Sequence, residues 1–357
     1  MPSHQRVADT LSSRRSELAL RVAEKHLAQN PHFIERFGEL GRVRCIEDAD
    51  FHLQYLSHSL RFATPALFTA YTQWTRQVLE KRAIGWSDLQ KNLELLRDEL
   101  AAELDEEDAK PVREYIEAAL SADPVDADSF LAGTPREPLA RAYVTALLSA
   151  DRRAAIEIVN EAVRGGVTIR DLYLDVFQPV QREIGRLWQN NEISVAEEHY
   201  CTASTQSVMA QFYPQVLATP RNGRKVVVAC VGNELHEIGT RMVADFFEMD
   251  GWDGVYIGAN TPTGALVEMV CRERPHLVAL GITMTYHLGT ASKLIERLRS
   301  DQRCSDVKIL VGGYVFQQHP ELWRSLGVDG SGCDAESAVA IGNELVDPVR
   351  NGSRSRR

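Results

Sequence analysis

Cysteine is sparse and unpaired: Cys45, Cys201, Cys230, Cys271, Cys304 and Cys333 stand singly. With no CxxC spacing, the sequence points to neither a zinc site nor a disulfide framework. No apolar run approaches the length of a membrane span, and the N-terminus has no apolar signal core. A cytoplasmic protein with no membrane partner is expected. GxGxxG and GxxxxGK[ST] are both absent, so nucleotide readings gain nothing. There is no helix-turn-helix pattern and no basic recognition helix, and the net charge is -10, which argues against nucleic-acid binding. No acid/base pair with a substrate pocket is recognisable, so the chain does not read as an enzyme. The basic end, 346–357, is expected to be a disordered tail. What remains is ordinary soluble composition, 44% hydrophobic and 25% charged, in 357 residues, enough for two or three domains.

Residues 1–120 carry helical periodicity and no strand pattern. Val7, Leu11, Leu18, Val22 and Leu27 recur at helical spacing. Pro31 opens a short helix to Phe37, and a further helix is expected over 48–62. Thr64-Pro65 is a start signal, and Ser87 begins another helix. The acids 105–108 suit a helix N-terminus. About six helices are expected. Residues 121–138, rich in Asp, Pro and Gly, read as a linker. Four helices follow within 139–217, near 139–148, 151–164, 168–188 and 194–213, and their short connections imply a four-helix bundle. After 217 the pattern alternates strands (226–231, 253–257, 277–283, 307–311) with helices (239–250, 263–273, 288–300), the mark of a parallel sheet.

The segment 225–239 draws these parts together. Val226 to Val231 form an uninterrupted apolar run, as in a strand buried on both faces. Gly232-Asn233 ends it, Glu234-Leu235-His236-Glu237-Ile238-Gly239 follows, and an amphipathic helix begins. A loop after such a strand lies at the carboxyl edge of the sheet, where open α/β folds bind ligands. A carboxylate two residues before His236 can fix its ring, and Gly239 lets a bulky ligand approach the backbone. These residues resemble the cobalamin-binding Rossmann-like domain, with its Asp-x-His-x-x-Gly, a later Ser-x-Leu-like patch and a Gly-Gly pair. Thr283 and Thr285 occupy the second patch, with Thr in place of Ser, and Gly312-Gly313 the third. Cys333-Asp334-Ala335 resembles the closing segment. The likeness covers 223–345 and implies that His236 is the lower cobalt ligand. Glu234, Leu235, Gly239, Thr283, Thr285, Gly312, Gly313 and Asp334 would line the cofactor. Glu234 departs from the usual Asp by one methylene.

A helical bundle before such a domain is the arrangement of corrinoid modules. Trp188, nine residues and then Glu198-His199 resemble the motif of CarH-like photoreceptors, which hold adenosylcobalamin. An adenosyl group needs an aromatic wall, which Trp188 supplies, and an acceptor for ribose hydroxyls, which Glu198 supplies. The resemblance implies that His199 takes the upper axial position of cobalt after light breaks the cobalt–carbon bond. Methyl-carrying corrinoid proteins, the alternative, share the architecture and usually lack this Trp and Glu-His. The N-terminal domain, helical, globin-sized and rich in aromatics and histidines over 51–86, is similar to the photocobilins, whose globin-like domain binds biliverdin. That resemblance places His52, His58, Tyr55, Tyr71, Trp74 and Arg76, together with Arg61, near a bilin, and Cys45 is the domain's one candidate for a thioether. The expected whole is a globin-like all-α domain, a four-helix bundle and an α/β Rossmann-like domain. It is expected to form a homo-oligomer that changes on illumination, with a separate effector as a possible partner.

Overall fold

Proline and glycine set the boundaries in the N-terminal half. The computed structural model describes residues 3–124 and 128–347, so the expected tail beyond 347 lies outside the described residues. Five helices fill the first unit: α1 (Ser3–Gln29), α2 (Pro31–Arg61), α3 (Pro65–Glu80), α4 (Trp86–Glu103) and α5 (Glu106–Leu120). Pro31 and Pro65 sit in the first turns of α2 and α3, where a missing N–H is no loss. Gly38 breaks α2 with φ 60° and ψ -155°, so the six expected segments become five, the second one kinked. The segment after the kink starts well before the expected residue 48, through a polar stretch that gives no apolar signal. Asp105 caps α5 by accepting from the Asp108 amide at 2.9 Å, and three acids occupy the first turn. Leu11, Leu18, Leu53, Leu56, Leu60 and Phe68 are among its buried side chains.

The second unit, residues 127–188 with 192–357, begins with helices. They are α6 (Glu137–Leu148), α7 (Arg152–Arg164), α8 (Ile169–Leu172), α9 (Gln178–Gln189), α10 (Val195–Ala210) and α11 (Tyr213–Val216). Asp151 caps α7, and reciprocal capping boxes open α8 (Thr168, Asp171) and α10 (Ser194, Glu197). A π turn, Tyr173–Phe177, joins α8 to α9 in one helical stretch. These four stretches fall close to the expected ranges.

The parallel sheet runs β2-β1-β3-β4-β5, from β1 (Lys225–Cys230), β2 (Asp253–Gly258), β3 (Leu277–Gly281), β4 (Lys308–Gly312) and β5 (Gly330–Gly332). Its longer helices are α12 (Ile238–Met249), α13 (Thr263–Glu273), α14 (Leu288–Ser300) and α16 (Ala335–Val346); the short α15 (Tyr314–Gln318) follows β4. β3 stops two residues before the expected 283 because the amides of Thr283 and Met284 turn to the Glu234 carboxylate. The helices and the sheet share one core: Tyr143, Tyr173, Phe177 and Ile184 join Phe246, Phe247 and Trp252 in a continuous apolar cluster. The largest of these are fully buried, and each contributes roughly 2–3 kcal/mol by removal from water. Among the described residues no helix is long and apolar enough to cross a membrane.

Candidate functional site: the switch point of the sheet

β1 lies between β2 and β3, so the chain leaves β1 toward one side and resumes at β3 on the other. The crevice at their carboxyl ends is the topological switch point, the common ligand site of such sheets. Glu234 spans it. Its side chain is 0% exposed. One carboxylate oxygen accepts from the His236 amide at 3.0 Å and from His236 Nδ1 at 2.6 Å. The other accepts from the amides of Thr283 at 2.7 Å and Met284 at 3.2 Å, beyond β3. Burial alone would raise this carboxyl, but the His236 ring and the amides outweigh it and hold it at about 2. The same hydrogen bond raises His236, with the Glu198 charge adding to it. Nδ1 is therefore the donor nitrogen, and Nε2 keeps the lone pair a metal needs. The extra methylene of Glu234 does not prevent the contact with His236. His287 lies 4.0 Å from the same carboxylate, and burial lowers it.

The His236 side chain is 59% exposed and Leu235 beside it is 70% exposed. A Cβ placed on Gly239 meets nothing within 4 Å, so the first turn of α12 is open. Gly313, at φ 122°, passes so close to Ile282 that a Cβ would lie 2.0 Å from its carbonyl oxygen. Gly312 ends β4 and Thr285 opens a short 3-10 turn. Asp334 caps α16, accepting from the Ser337 amide at 2.7 Å, so its carboxylate already has a structural task.

α10 lies over this loop. Gln206 donates to Glu237 at 2.8 Å, and Glu237 also accepts from the Tyr256 hydroxyl at 3.0 Å and the Ala259 amide at 3.1 Å. Seven residues are two helical turns less about 20°, so His199 shares the stripe of Gln206, about 10 Å further along α10. It is 75% exposed and lies 3.4 Å from the Glu198 carboxylate. Glu198 accepts from Thr202 at 3.0 Å. On α9, Gln181 donates to Thr205 at 2.9 Å, and Trp188, seven residues on, shares that α10-facing stripe. Arg182 of α9 donates to Gln317 of α15 at 2.9 Å, and the Tyr173 hydroxyl donates to Asp245 of α12 at 2.8 Å. The sequence-predicted residues Trp188, Glu198, His199 and His236 thus lie on elements of one frame. Sequence reading gave no role to Glu237 and Gln206, which close that frame, because their contact joins two separate elements and neither residue carries a spacing that marks it.

A corrinoid fits this donor set. His236 offers an oriented imidazole nitrogen, Gly239 leaves the backbone open, and α9 and α10 stand over the loop.

The N-terminal candidates are arranged differently. His52 is buried and its Nδ1 lies 2.7 Å from the Tyr71 hydroxyl. Burial lowers it to about 3. Tyr55 and Tyr71 stack at 3.7 Å between ring centroids, with Trp74 at 6.4 Å from Tyr71. Arg61 pairs with Asp9 at 2.6 Å, and Arg76 pairs with Glu80 at 3.0 Å and lies over the Trp86 ring. Cys45 is buried and pushed up to about 12 by that burial, which disfavours the thiolate a thioether bond requires. His58 lies in α2 one turn from Arg61.

The family comparisons find B12 binding domains in both parts of this frame. Residues 224–340 match the family described as B12 binding domain, and residues 139–213 match a second family of the same description. The chain is 30% identical to the HTH-type transcriptional repressor CarA of Myxococcus xanthus over 191 residues, 52% of this chain and 63% of that repressor. It is 25% identical to a trimethylamine corrinoid protein of Methanosarcina barkeri over 199 residues, 55% of this chain and 90% of that protein. The solved Methanosarcina barkeri monomethylamine corrinoid protein overlays with a TM-score of 0.53 at 18% identity, covering 58% of this chain and 99% of that one. That likeness is one of fold. Residues 1–138 fall outside both family matches.

Proposed function

We propose that this chain is a light sensor that holds adenosylcobalamin between α9–α10 and the switch point of the sheet, with biliverdin as a second chromophore in the N-terminal helical unit. What carries the reading is the trio Trp188 and Glu198-His199 on α9 and α10, helices tied to each other through Gln181 and Thr205 and to the His236 loop through Gln206 and Glu237. The likeness to the repressor CarA supports a regulatory role. When bound, adenosylcobalamin supplies a cobalt–carbon bond that light cleaves. The chain's own part is to hold and to read. Glu234 fixes the His236 ring so that Nε2 faces the cofactor side. Trp188 would wall the pocket facing that loop, Glu198 would accept from ribose hydroxyls, and His199 would offer a second imidazole to the metal. The signal then passes by a change of assembly with other copies of the chain, or to a separate effector.

A second reading, a corrinoid protein carrying methyl groups, draws on the likeness to the trimethylamine corrinoid protein. Such a protein has no use for the Trp188 wall or for His199. The test is absorption of protein loaded with adenosylcobalamin and biliverdin, before and after green or red light. One equivalent of each pigment and a lasting spectral change with green light are expected, with red light effective only when biliverdin is present. A dark-stable cobalamin spectrum under illumination overturns the sensor, and failure to take up biliverdin leaves a single-pigment sensor.

A further inference from the structure

The scattered cysteines include one pair that the fold brings together. Cys271 lies in the last turn of α13, Asp301 follows α14, and Cys304 closes the next turn, its amide donating to the Asp301 carbonyl at 3.0 Å. The two Sγ atoms and a carboxylate oxygen of Asp301 all lie within 4.8 Å of one another. A tetrahedral ion with thiolates at about 2.3 Å and a carboxylate at about 2.0–2.2 Å separates its ligand atoms by roughly 3.5–3.8 Å, so movements of about 1 Å close the gap. Both cysteines are buried, beside the C-terminal ends of α13 and α14, and neither is among the residues named for the cobalamin site.

We propose that Cys271, Cys304 and Asp301 form a three-ligand site for a thiophilic divalent cation of the zinc class, separate from the cobalamin site and independent of the sensor reading. Two further observations support it. The Asp301 carboxylate is held in place by Arg303, whose Nε donates to one oxygen at 3.0 Å and whose Nη2 donates to the other at 2.7 Å. Arg303 is itself anchored on Glu268 at 2.7 Å and 3.0 Å. Metal-ligating carboxylates are oriented by such partners. Two thiolates, a carboxylate and a dication sum to one negative charge, which the Arg303 guanidinium offsets. Asp301 also lines an open hollow of about 510 Å³, walled by Val267, Glu268, Arg297 and residues 300–303. Neither cysteine lines that hollow, which brings solvent to the Asp301 side of the cluster. On binding, each thiol releases its proton to solvent and no electron changes hands. A redox disulfide between the two sulfurs would leave Asp301 and its arginine without a part, which favours the cation.

The experiment uses the full chain, kept reduced by a phosphine, and titrates it with cadmium while recording thiolate-to-cadmium charge transfer in the ultraviolet. Zinc then competes for the same site. One equivalent is expected, displaced by zinc. Cys271→Ser and Cys304→Ser should each abolish the band or weaken binding at least about 100-fold, and Arg303→Gln should weaken it about 10-fold, with circular dichroism unchanged. Asp301→Asn should keep the thiolate band with weaker binding, which separates loss of a ligand from loss of fold. No stoichiometric band, or a band indifferent to both serine variants, overturns the site.

Discussion

Replacing Glu234 by Gln tests how the switch point holds its histidine. The carboxylate accepts four hydrogen bonds, two from His236 and two from the amides of Thr283 and Met284. A glutamine has one oxygen and one NH2 group. Whichever way it turns, one pair of donors faces a donor. Each buried donor left unpaired costs about 1–3 kcal/mol, so the pair costs roughly 2–6 kcal/mol where water cannot enter. Glu234 is fully buried, so the upper part of that range applies to the amides beyond β3, while His236 is exposed enough to find water. If the amide oxygen stays with Thr283 and Met284, the loss moves to the His236 ring, and cobalamin affinity should fall 10–100-fold, as when the partner of a metal-bound histidine is removed. Glu234→Asp, shorter by about 1.5 Å, reaches one side of the crevice and should give an intermediate effect. Spectrophotometric titration with cobalamin and thermal unfolding of the same samples read both outcomes. A Glu234→Gln protein with unchanged melting temperature, affinity and bound spectrum would refute the reasoning.

Further expectations concern neighbouring groups. His236→Ala should weaken cobalamin binding or return the cofactor to its base-on spectrum; unchanged titration curves would remove His236 as the lower ligand. His199→Ala should bind adenosylcobalamin in the dark as the parent does and give a different photoproduct spectrum; identical photoproducts would assign the upper position to another group. Asp245 is buried, which raises its carboxyl to about 6 against the Tyr173 hydrogen bond and Arg241, which lower it, with Glu248 adding to the rise. A raised carboxyl contributes stability that is present below its ordinary value near 3.8 and lost as pH rises through about 6. Asp245→Asn keeps an acceptor for Tyr173, so by denaturant unfolding it should match the parent near pH 4 and exceed it by roughly 2–3 kcal/mol at pH 8; a less stable variant at pH 8 would show that the anion is better accommodated than burial implies.

The architecture was legible where apolar pattern and punctuation coincide. Val226 to Val231 announced a doubly covered strand, and Pro31, Pro65 and Ser194 marked real boundaries. β5 was not legible, since Gly330–Gly332 carries only the small polar side chain of Ser331 and no apolar pattern, and the early start of the second part of α2 was hidden by polar residues. The local part of the site, Glu234 with His236, could be read because both residues sit on one loop. The part made by distant elements could not. The Thr283 and Met284 amides, the Gln206–Glu237 link and the Cys271–Asp301–Cys304 cluster depend on which elements the fold sets side by side, and single residues in separate segments carry no spacing to betray it.

The π turn at Tyr173–Phe177 has a bearing on where Trp188 faces, through angular phase. An α-helix advances about 100° per residue, and a π turn admits one residue more than the α ladder does. Tyr173 is fastened to α12 at the start of that turn, whereas Gln181 and Trp188 face α10 beyond it. Wound as plain α-helix with the Tyr173 anchor intact, the same residues would carry everything downstream round by about 100° and take the indole of Trp188 off the α10 side. Deleting one residue between 174 and 177 would remove the extra residue together with the turn and leave Trp188 on its present side. The length of this one turn therefore sets the azimuth of the Trp188 indole.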